Sequence, residues 1–292
     1  MERQTKGRRM VRIGRGPLVF LAVSFGATWA YWFLARLVWG LSLLDPLVQL
    51  PSAFLPAVAA VVVRRWVTRE GFADAGLRPR WRVARGSYLI AALGPLVIAA
   101  ATVAVAGLLG IRPDLGLLGE AGLPWWAVPL VLVVVAVVLT PVYWGEEFGW
   151  TAYLRSRLYP DRPLLSVTAT GLIWAVWHYP LAFLGYIEFP DVGVGLLVWT
   201  ASFLCQEVIL AWLWLRSASV WPASLAHAGN NVVIAPLTGA LLADGAGLDE
   251  TAVTALCTVA FAAVAGWILL AGWFPSRLAH RKGCYKLATG RD

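Results

Sequence analysis

The sequence predicts an all-α polytopic membrane protein with about eight transmembrane helices and both termini in the cytoplasm. Three observations predict this fold: the composition, the recurrence of long apolar runs, and the alternation of charge between those runs. Of the 292 residues, 60% are hydrophobic and 14% are charged, and the mean hydropathy is +0.71. A soluble domain needs more polar surface than this composition supplies. We therefore expect lipid to solvate most of the folded chain.

Apolar runs of about 20 residues, long enough to cross the hydrocarbon core of a bilayer, recur along the chain. Only helices and closed barrels satisfy their backbone polar groups in lipid, and these runs are continuous where barrel strands would alternate, so helices are predicted. We expect them at about 18–37, 47–66, 87–109, 125–144, 164–184, 192–215, 220–242 and 251–273. No linker or second domain is evident, so residues 1–292 are expected to form one membrane domain.

Basic residues alternate between the two sides of the predicted helices. Short cytoplasmic loops collect lysine and arginine, and here the second, fourth and sixth connections and the C-terminal tail are basic, whereas the alternate connections are mainly acidic. Both termini are thus predicted to be cytoplasmic, with the first helix retained as a signal anchor in a multi-pass protein of the cell membrane. The net charge of +8 is explained by membrane-flanking residues that contact anionic lipids, so no nucleic-acid partner is expected.

Few ionisable residues remain inside the predicted helices once the flanking charges are set aside. An ionisable group in a bilayer is costly and is interpreted by default as functional. The ionisable residues, with two neighbouring amides, are Glu146 and Glu147 at the end of the fourth helix, His178 in the fifth, Glu207 in the sixth, and His227 with Asn230 and Asn231 in the seventh.

Glu146 and Glu147 are adjacent carboxylates, which cannot both ionise cheaply at low dielectric and can therefore supply a general base. The structural alternative is an acidic pair that caps the helix at the cytoplasmic interface, where Arg155 or Arg157 would form an ion pair with it. Glu207 has three open interpretations: it lines the same site, pairs with Arg36 in the first helix, or hydrogen-bonds to a neighbouring helix.

The two histidines inside predicted helices also have two interpretations each. His227 and Asn231 are four residues apart, so they share a helical face, and an imidazole and an amide there could together bind one oxygen. The alternative is a polar clamp between helices that small residues allow to pack closely. His178 shares a face with Trp174, and a single helical histidine is more often a packing residue than a ligand.

Taken together, these groups are what the activation of a water and the stabilisation of an oxyanion require. Glu146, His178 and His227 would also be acceptable zinc ligands that leave an open position for water. Spacing does not separate these two chemistries. The expected cofactor is therefore either none or a single divalent metal, with zinc the first choice.

The motifs resemble the CPBP family, the CAAX protease and bacteriocin-processing or ABI family of intramembrane proteases. Its signature is Glu-Glu-x-x-x-Arg, then Phe-x-x-x-His, then His-x-x-x-Asn or Asp on successive helices. This chain has Glu146-Glu147, Trp174-x-x-x-His178 and His227-x-x-x-Asn231 in the same order, and the resemblance covers about 125–240 as the catalytic core. Two positions depart from the signature. Thr151 stands where it has arginine, which Arg155 could replace, and Trp174 stands where it has phenylalanine.

The resemblance implies peptide-bond hydrolysis in the cytoplasmic half of the bilayer, on a membrane-proximal peptide or a membrane-protein substrate. Glu146 and His178 would activate the water, His227 and Asn231 would form the oxyanion hole, and Glu147 would tune Glu146 or hold its helix. Counting residues from the helix ends puts Glu146 near the cytoplasmic face and His178 deeper, so a water-filled cytoplasmic cavity is predicted between them.

Two other functions remain open at this stage. Thr151 in place of arginine would suit a non-catalytic immunity or partner protein that keeps the fold. Buried glutamate and histidine would also suit a proton-coupled transporter, although the matching broken helices of such folds are not evident in the sequence.

Overall fold

A computed structural model describes residues 14–272, without the side chains of residues 120 and 121. The basic N-terminal segment and the basic tail, on which part of the predicted orientation depends, lie outside this range. The described chain is all-helical, and its eight main helices are α1 (Arg15–Val38), α2 (Pro46–Val67), α3 (Trp81–Leu108), α4 (Ala127–Arg155), α5 (Pro163–His178), α6 (Val192–Ser217), α7 (Val220–Asp244) and α8 (Glu250–Leu270).

Seven of these helices are long and apolar enough to cross a membrane, which confirms the predicted polytopic membrane architecture. The exception is α5, predicted as a full span at 164–184. It has 16 residues, about 24 Å of helix at 1.5 Å per residue, and then tightens into a 3₁₀ turn at Tyr179–Ala182. The remaining predicted boundaries agree closely, apart from the start of α3 and the end of α4.

The fourth helix runs well past its predicted end at residue 144 and continues to Arg155, with its last eight residues, Phe148–Arg155, in π-helical form. The fifth helix begins beside this end, where the Ser166 hydroxyl donates to the Arg155 carbonyl at 2.6 Å. Glu146 precedes Arg155 by nine residues and Trp174 follows Ser166 by eight. The two side chains therefore lie at similar depth, and no cavity is needed to bring α4 and α5 together there.

Glycines allow α4 to pack directly on the backbone of α2. A Cβ on Gly145 would lie 2.3 Å from the Ala53 carbonyl oxygen, and one on Gly149 would lie 2.5 Å from Cβ of Pro56. Because these glycines are four residues apart, they occupy one face of α4. Glu146 and Glu147 lie on other faces, and their side chains contact α5 and α7.

The connection between α2 and α3 folds back onto the end of α4. Arg64, at the end of α2, is fully buried and donates to the Gly71 carbonyl at 2.6 Å and to Asp74 at 2.8 Å, both in this connection. Arg157 at the end of α4 pairs with Glu70 in the same connection. Burial raises the pKa of Asp74, but the hydrogen bond from Arg64 and the charges of Arg64 and Arg157 lower it, so that its net pKa is below the ordinary value.

Candidate active site

The structure brings the predicted polar residues together between α4, α5, α6 and α7. Glu147 and His227 are in direct contact although 80 positions separate them in the chain. Glu146 and His178 both hydrogen-bond to Trp174, and Asn231 hydrogen-bonds to the backbone of His227. The predicted site residues therefore form one connected cluster, in which Trp174 is a central member.

Glu147 is held on both carboxylate oxygens. Its Oε1 lies 3.0 Å from Nδ1 of His227, and its Oε2 accepts a hydrogen bond from the hydroxyl of Thr151, one turn further along α4. Both side chains of the pair are almost fully buried. With neither oxygen free, Glu147 is placed to orient the imidazole of His227 through Nδ1.

Glu146 is held on one oxygen only. The indole N–H of Trp174 donates to its Oε2 at 3.0 Å. Its Oε1 accepts no hydrogen bond from any residue between 14 and 272. Glu146 is 8% exposed, whereas Glu147 is 1% exposed. A carboxylate with one oxygen fixed and one available is the arrangement that a general base needs.

His178 ends α5, one turn after Trp174. Its Nδ1 lies 2.9 Å from the Trp174 carbonyl oxygen, an acceptor, so Nδ1 carries the proton of that bond, and in the neutral imidazole Nε2 keeps a lone pair. The ring stacks on Phe203 at 4.6 Å between centroids and meets the edge of Trp174 at 5.6 Å. Its orientation is therefore fixed by aromatic packing together with one backbone hydrogen bond.

Of the predicted site residues, Asn231 has the weakest connection to the cluster. Its amide nitrogen donates to the His227 carbonyl at 3.2 Å, and its side chain is only partly buried. From Asn230 the helix is π-helical for one turn, which changes the side-chain spacing beyond His227. Asn230 instead points to α6, where its amide donates to Gln206 at 2.7 Å.

Glu207 pairs with Arg155, at 2.8 Å between Nη1 and Oε1, and both side chains are at most 3% exposed. Of the three interpretations left open for Glu207, the bond to a neighbouring helix agrees with this contact, whereas Arg36 donates to the Leu184 carbonyl instead. The suggestion that Arg155 replaces the signature arginine beside Glu146 or Glu147 is wrong. Its guanidinium is taken by Glu207, and Thr151 itself serves Glu147.

Burial varies along the cluster. Thr151, Arg155 and Glu207, at the end of the cluster near the arginine-rich connections, are almost fully buried. Partial exposure is found at the other end, at Asn231 and at two tyrosines, Tyr143 and Tyr186. This gradient runs opposite to the predicted cavity, which was expected to open toward the arginine-rich, cytoplasmic side.

The two tyrosines were not predicted as part of the site. The Tyr143 ring lies 5.0 Å from that of His227, centroid to centroid. Burial raises the pKa of Tyr186, in the connection after α5, and the nearby charge of Glu146 raises it further. Tyr143 precedes the glutamate pair by three positions, a helical spacing that could have suggested it; nothing in the sequence pattern indicated Tyr186.

The residues proposed as zinc ligands do not form a ligand group in this arrangement. Among residues 14–272 no three His, Cys, Asp or Glu side chains come close enough together to hold a metal ion. His227 directs Nδ1 to Glu147, and His178 directs Nδ1 to a backbone carbonyl. The donor set as arranged does not fit a bound metal.

Comparison with known proteins agrees with the motifs. The family model described as type II CAAX prenyl endopeptidase Rce1-like matches residues 124–233, from just before α4 to the first turns of α7 beyond His227. No curated protein was found to match the chain. The matched segment contains all three motifs, and it supports the fold of a CAAX-type intramembrane protease and a peptidase class of activity. The predicted resemblance to the CPBP family is thereby confirmed, with residues 124–233 similar to the Rce1-like CAAX prenyl endopeptidases.

Proposed function

We propose that this protein is an intramembrane endopeptidase that hydrolyses peptide bonds in membrane-proximal peptides or membrane proteins. The observation that carries the proposal is the buried contact between Glu147 and His227, at 3.0 Å, beside a second carboxylate with one uncommitted oxygen on Glu146. Such groups are costly inside a membrane and suit a water-activating site. We further place the protein in the cell membrane, in contact with lipid.

Glu146 is the proposed general base. Its free Oε1 would accept a proton from a water while the water oxygen attacks the scissile carbonyl carbon. The proton would then pass from Glu146 to the leaving amine when the C–N bond breaks, which leaves a new carboxyl group and a new amino group. The Nε2 lone pair of His178 is proposed to accept a hydrogen bond from the same water and so orient it. Proton transfer of this kind contributes about 10²- to 10⁴-fold to rate.

His227 is proposed to stabilise the oxyanion, assisted by Asn231. Because Nδ1 already directs a proton at Glu147, an Nε2–H donor requires the imidazolium form, and the adjacent carboxylate of Glu147 favours that charged form. A positioned donor at the developing oxyanion is a large contributor to catalysis. Glu147 thus acts through His227 and is proposed as a positioning residue.

We propose that the peptide approaches from the partly exposed end of the cluster, marked by Tyr143, Tyr186 and Asn231. The opposite end is filled by Thr151 and by the buried pair of Arg155 and Glu207. Water entering with the peptide from the exposed end would reach Glu146 before the more deeply buried Glu147.

Peptidase assays on the purified protein in proteoliposomes test the proposal. The probe is a library of lipid-anchored peptides with a randomised segment next to the anchor, and mass spectrometry detects new termini. We expect cleavage by the unchanged protein and a loss of at least about 10²-fold for Glu146→Gln, His178→Ala and His227→Ala. Glu188→Gln, in the exposed connection after α5, is the matched control and should retain activity.

Two results would contradict the proposal: variants that cleave at the unchanged rate, or a folded protein that cleaves no member of the library. The second would favour a non-catalytic partner protein, a function first suggested by Thr151. That suggestion assumed that the site needs an arginine at position 151. The hydrogen bond from Thr151 to Glu147 argues against it, because threonine itself contributes to the cluster.

A further inference from the structure

No arginine or lysine in the described part of the chain forms an ion pair with Glu146 or Glu147. Among the described residues, the only ionisable partner in contact with either is His227, which meets Glu147. Arg155, the arginine expected to replace the signature residue, is occupied by Glu207 at 2.8 Å. Yet each carboxylate accepts one hydrogen bond from a neutral side chain: Glu146 from Trp174, and Glu147 from Thr151. These two donors stand at the two positions where the chain departs from the CPBP signature.

At position 174, tryptophan adds one hydrogen-bond donor that phenylalanine lacks, the indole N–H. Its indole N–H donates to Glu146 at 3.0 Å, and its backbone carbonyl accepts the hydrogen bond of His178. Its ring also meets His227 edge-on at 5.1 Å between centroids. The side chain is 1% exposed, so its N–H has no water to bind in place of the carboxylate. Trp174 thus contacts three of the proposed catalytic residues.

Thr151 has the corresponding role on the other carboxylate. It is fully buried and lies four residues after Glu147, and its hydroxyl donates to Oε2 of that residue while His227 occupies Oε1. An arginine at this position would bring a charge into a space that the structure fills with a small hydroxyl-bearing side chain. The hydroxyl satisfies the second oxygen of Glu147 and leaves the first for His227.

We propose that Trp174 and Thr151 are positioning residues that together replace the signature arginine by two neutral hydrogen-bond donors. Trp174 fixes Glu146 with Oε1 toward the peptide, and Thr151 fixes Glu147 and through it the imidazole of His227. The inference rests on the proposed peptidase function. It adds that the two departures from the signature are coupled, so that this chain is adapted to work without the arginine.

The chain contains matched controls for both residues. Trp177 is in the same helix, is also 1% exposed, and has an indole N–H that donates to no described residue. Trp174→Phe and Trp177→Phe therefore remove the same atoms from equally buried rings, and only the first removes a hydrogen bond to a carboxylate. At position 151, Thr151→Val removes the hydroxyl while keeping the shape, whereas Thr151→Ser keeps the hydroxyl.

The first test is steady-state cleavage of the best peptide found in the lipid-anchored library. A hydrogen bond to a charged group that is lost without replacement corresponds to about ten- to hundredfold in rate. We expect Trp174→Phe to lower kcat by about that factor with KM little changed. Trp177→Phe keeps an aromatic ring against His178 and removes no hydrogen bond to a carboxylate, so it should lower kcat much less. Thr151→Val should lower kcat by about tenfold, and Thr151→Ser should restore it. Equal effects of the two tryptophan variants, or no difference between Val and Ser, would overturn the inference.

A second measurement does not need peptidase activity. In protein labelled with ¹⁵N-tryptophan, the indole resonances of Trp174 and Trp177 are assigned from the two Phe variants. We expect Glu146→Gln to move the Trp174 indole resonance and to leave that of Trp177 in place. An unmoved Trp174 resonance would overturn the inference. A shifted resonance in a protein that cleaves no peptide would instead overturn the proposed function and leave the hydrogen bond established.

Discussion

The buried ion pair between Arg155 and Glu207 gives the sharpest stability prediction. The perturbation is Glu207→Leu, which removes the carboxylate that lies 2.8 Å from the guanidinium. Arg155 is 3% exposed, and one of its terminal nitrogens, Nη2, already has no partner among the described residues. Leaving one member of a buried pair unpaired costs about 3–5 kcal/mol, because the remaining charge is neither hydrated nor compensated.

The matched variant replaces both partners. Arg155→Met with Glu207→Leu puts apolar side chains of similar volume in the same space, and such replacements of a buried pair are often neutral or stabilising. We therefore expect the double variant to lie within about 1 kcal/mol of the unchanged protein or above it in stability. A coupling energy of at least about 3 kcal/mol between the two positions follows.

Equilibrium unfolding by SDS in mixed micelles, followed by circular dichroism, measures these differences for the unchanged protein, the two single variants and the double variant. A cost below about 1 kcal/mol for Glu207→Leu would mean that Arg155 finds water or lipid headgroups, as an exposed pair does. A double variant as unstable as the sum of the two single variants would also refute the reasoning, because it would show that the two charges do not interact.

Three further predictions concern packing, pH and metal. Gly145→Ala should destabilise the fold by about 1–3 kcal/mol through overpacking against the Ala53 backbone. In the same unfolding assay, Gly26→Ala in α1 should be neutral or stabilising, because an added Cβ there meets nothing within 4 Å. Because the pKa of Asp74 is lowered in the fold, its ionised carboxylate stabilises the folded state above the ordinary pKa, and this stability is lost as pH falls through the lowered pKa. The unfolding midpoint of Asp74→Asn should therefore fall less than that of the unchanged protein from about pH 5 downward. Dialysis against EDTA should leave peptidase activity unchanged, since Glu146, His178 and His227 do not form a ligand group; activity that disappears on chelation and returns with zinc would contradict this.

Much of the helix layout follows from the sequence because lipid imposes a simple requirement on it. A run must be apolar and about 20 residues long to satisfy its backbone across a bilayer. The predicted end of α4 was wrong, because Glu146 and Glu147 resemble the polar end of a membrane-spanning helix. The helix continues because its next two turns, Phe148–Arg155, are buried in protein, where neighbouring side chains replace lipid as the surroundings.

The sequence pattern predicted residues that the structure brings together, but it did not predict the hydrogen bonds between them. Glu147 and His227 meet across 80 positions, and Arg155 and Glu207 across 52, distances at which a single sequence carries no pairing information. Trp174 was recognised only as a large ring. Its indole donor becomes relevant once the depth of Glu146 is known, and that depth depends on the unforeseen length of α4.

The central claim is that Glu146 acts on water at a site made of buried polar groups. The most direct measurement compares the unchanged protein with Glu146→Gln, in proteoliposomes and at matched folded concentration, by mass spectrometry of the termini released from the lipid-anchored peptides. We expect new C-terminal carboxyl groups that carry one ¹⁸O atom and new amino termini that carry none when the reaction is run in ¹⁸O-water, and a rate at least about 10²-fold lower for Glu146→Gln. Equal rates for the two proteins would contradict the claim.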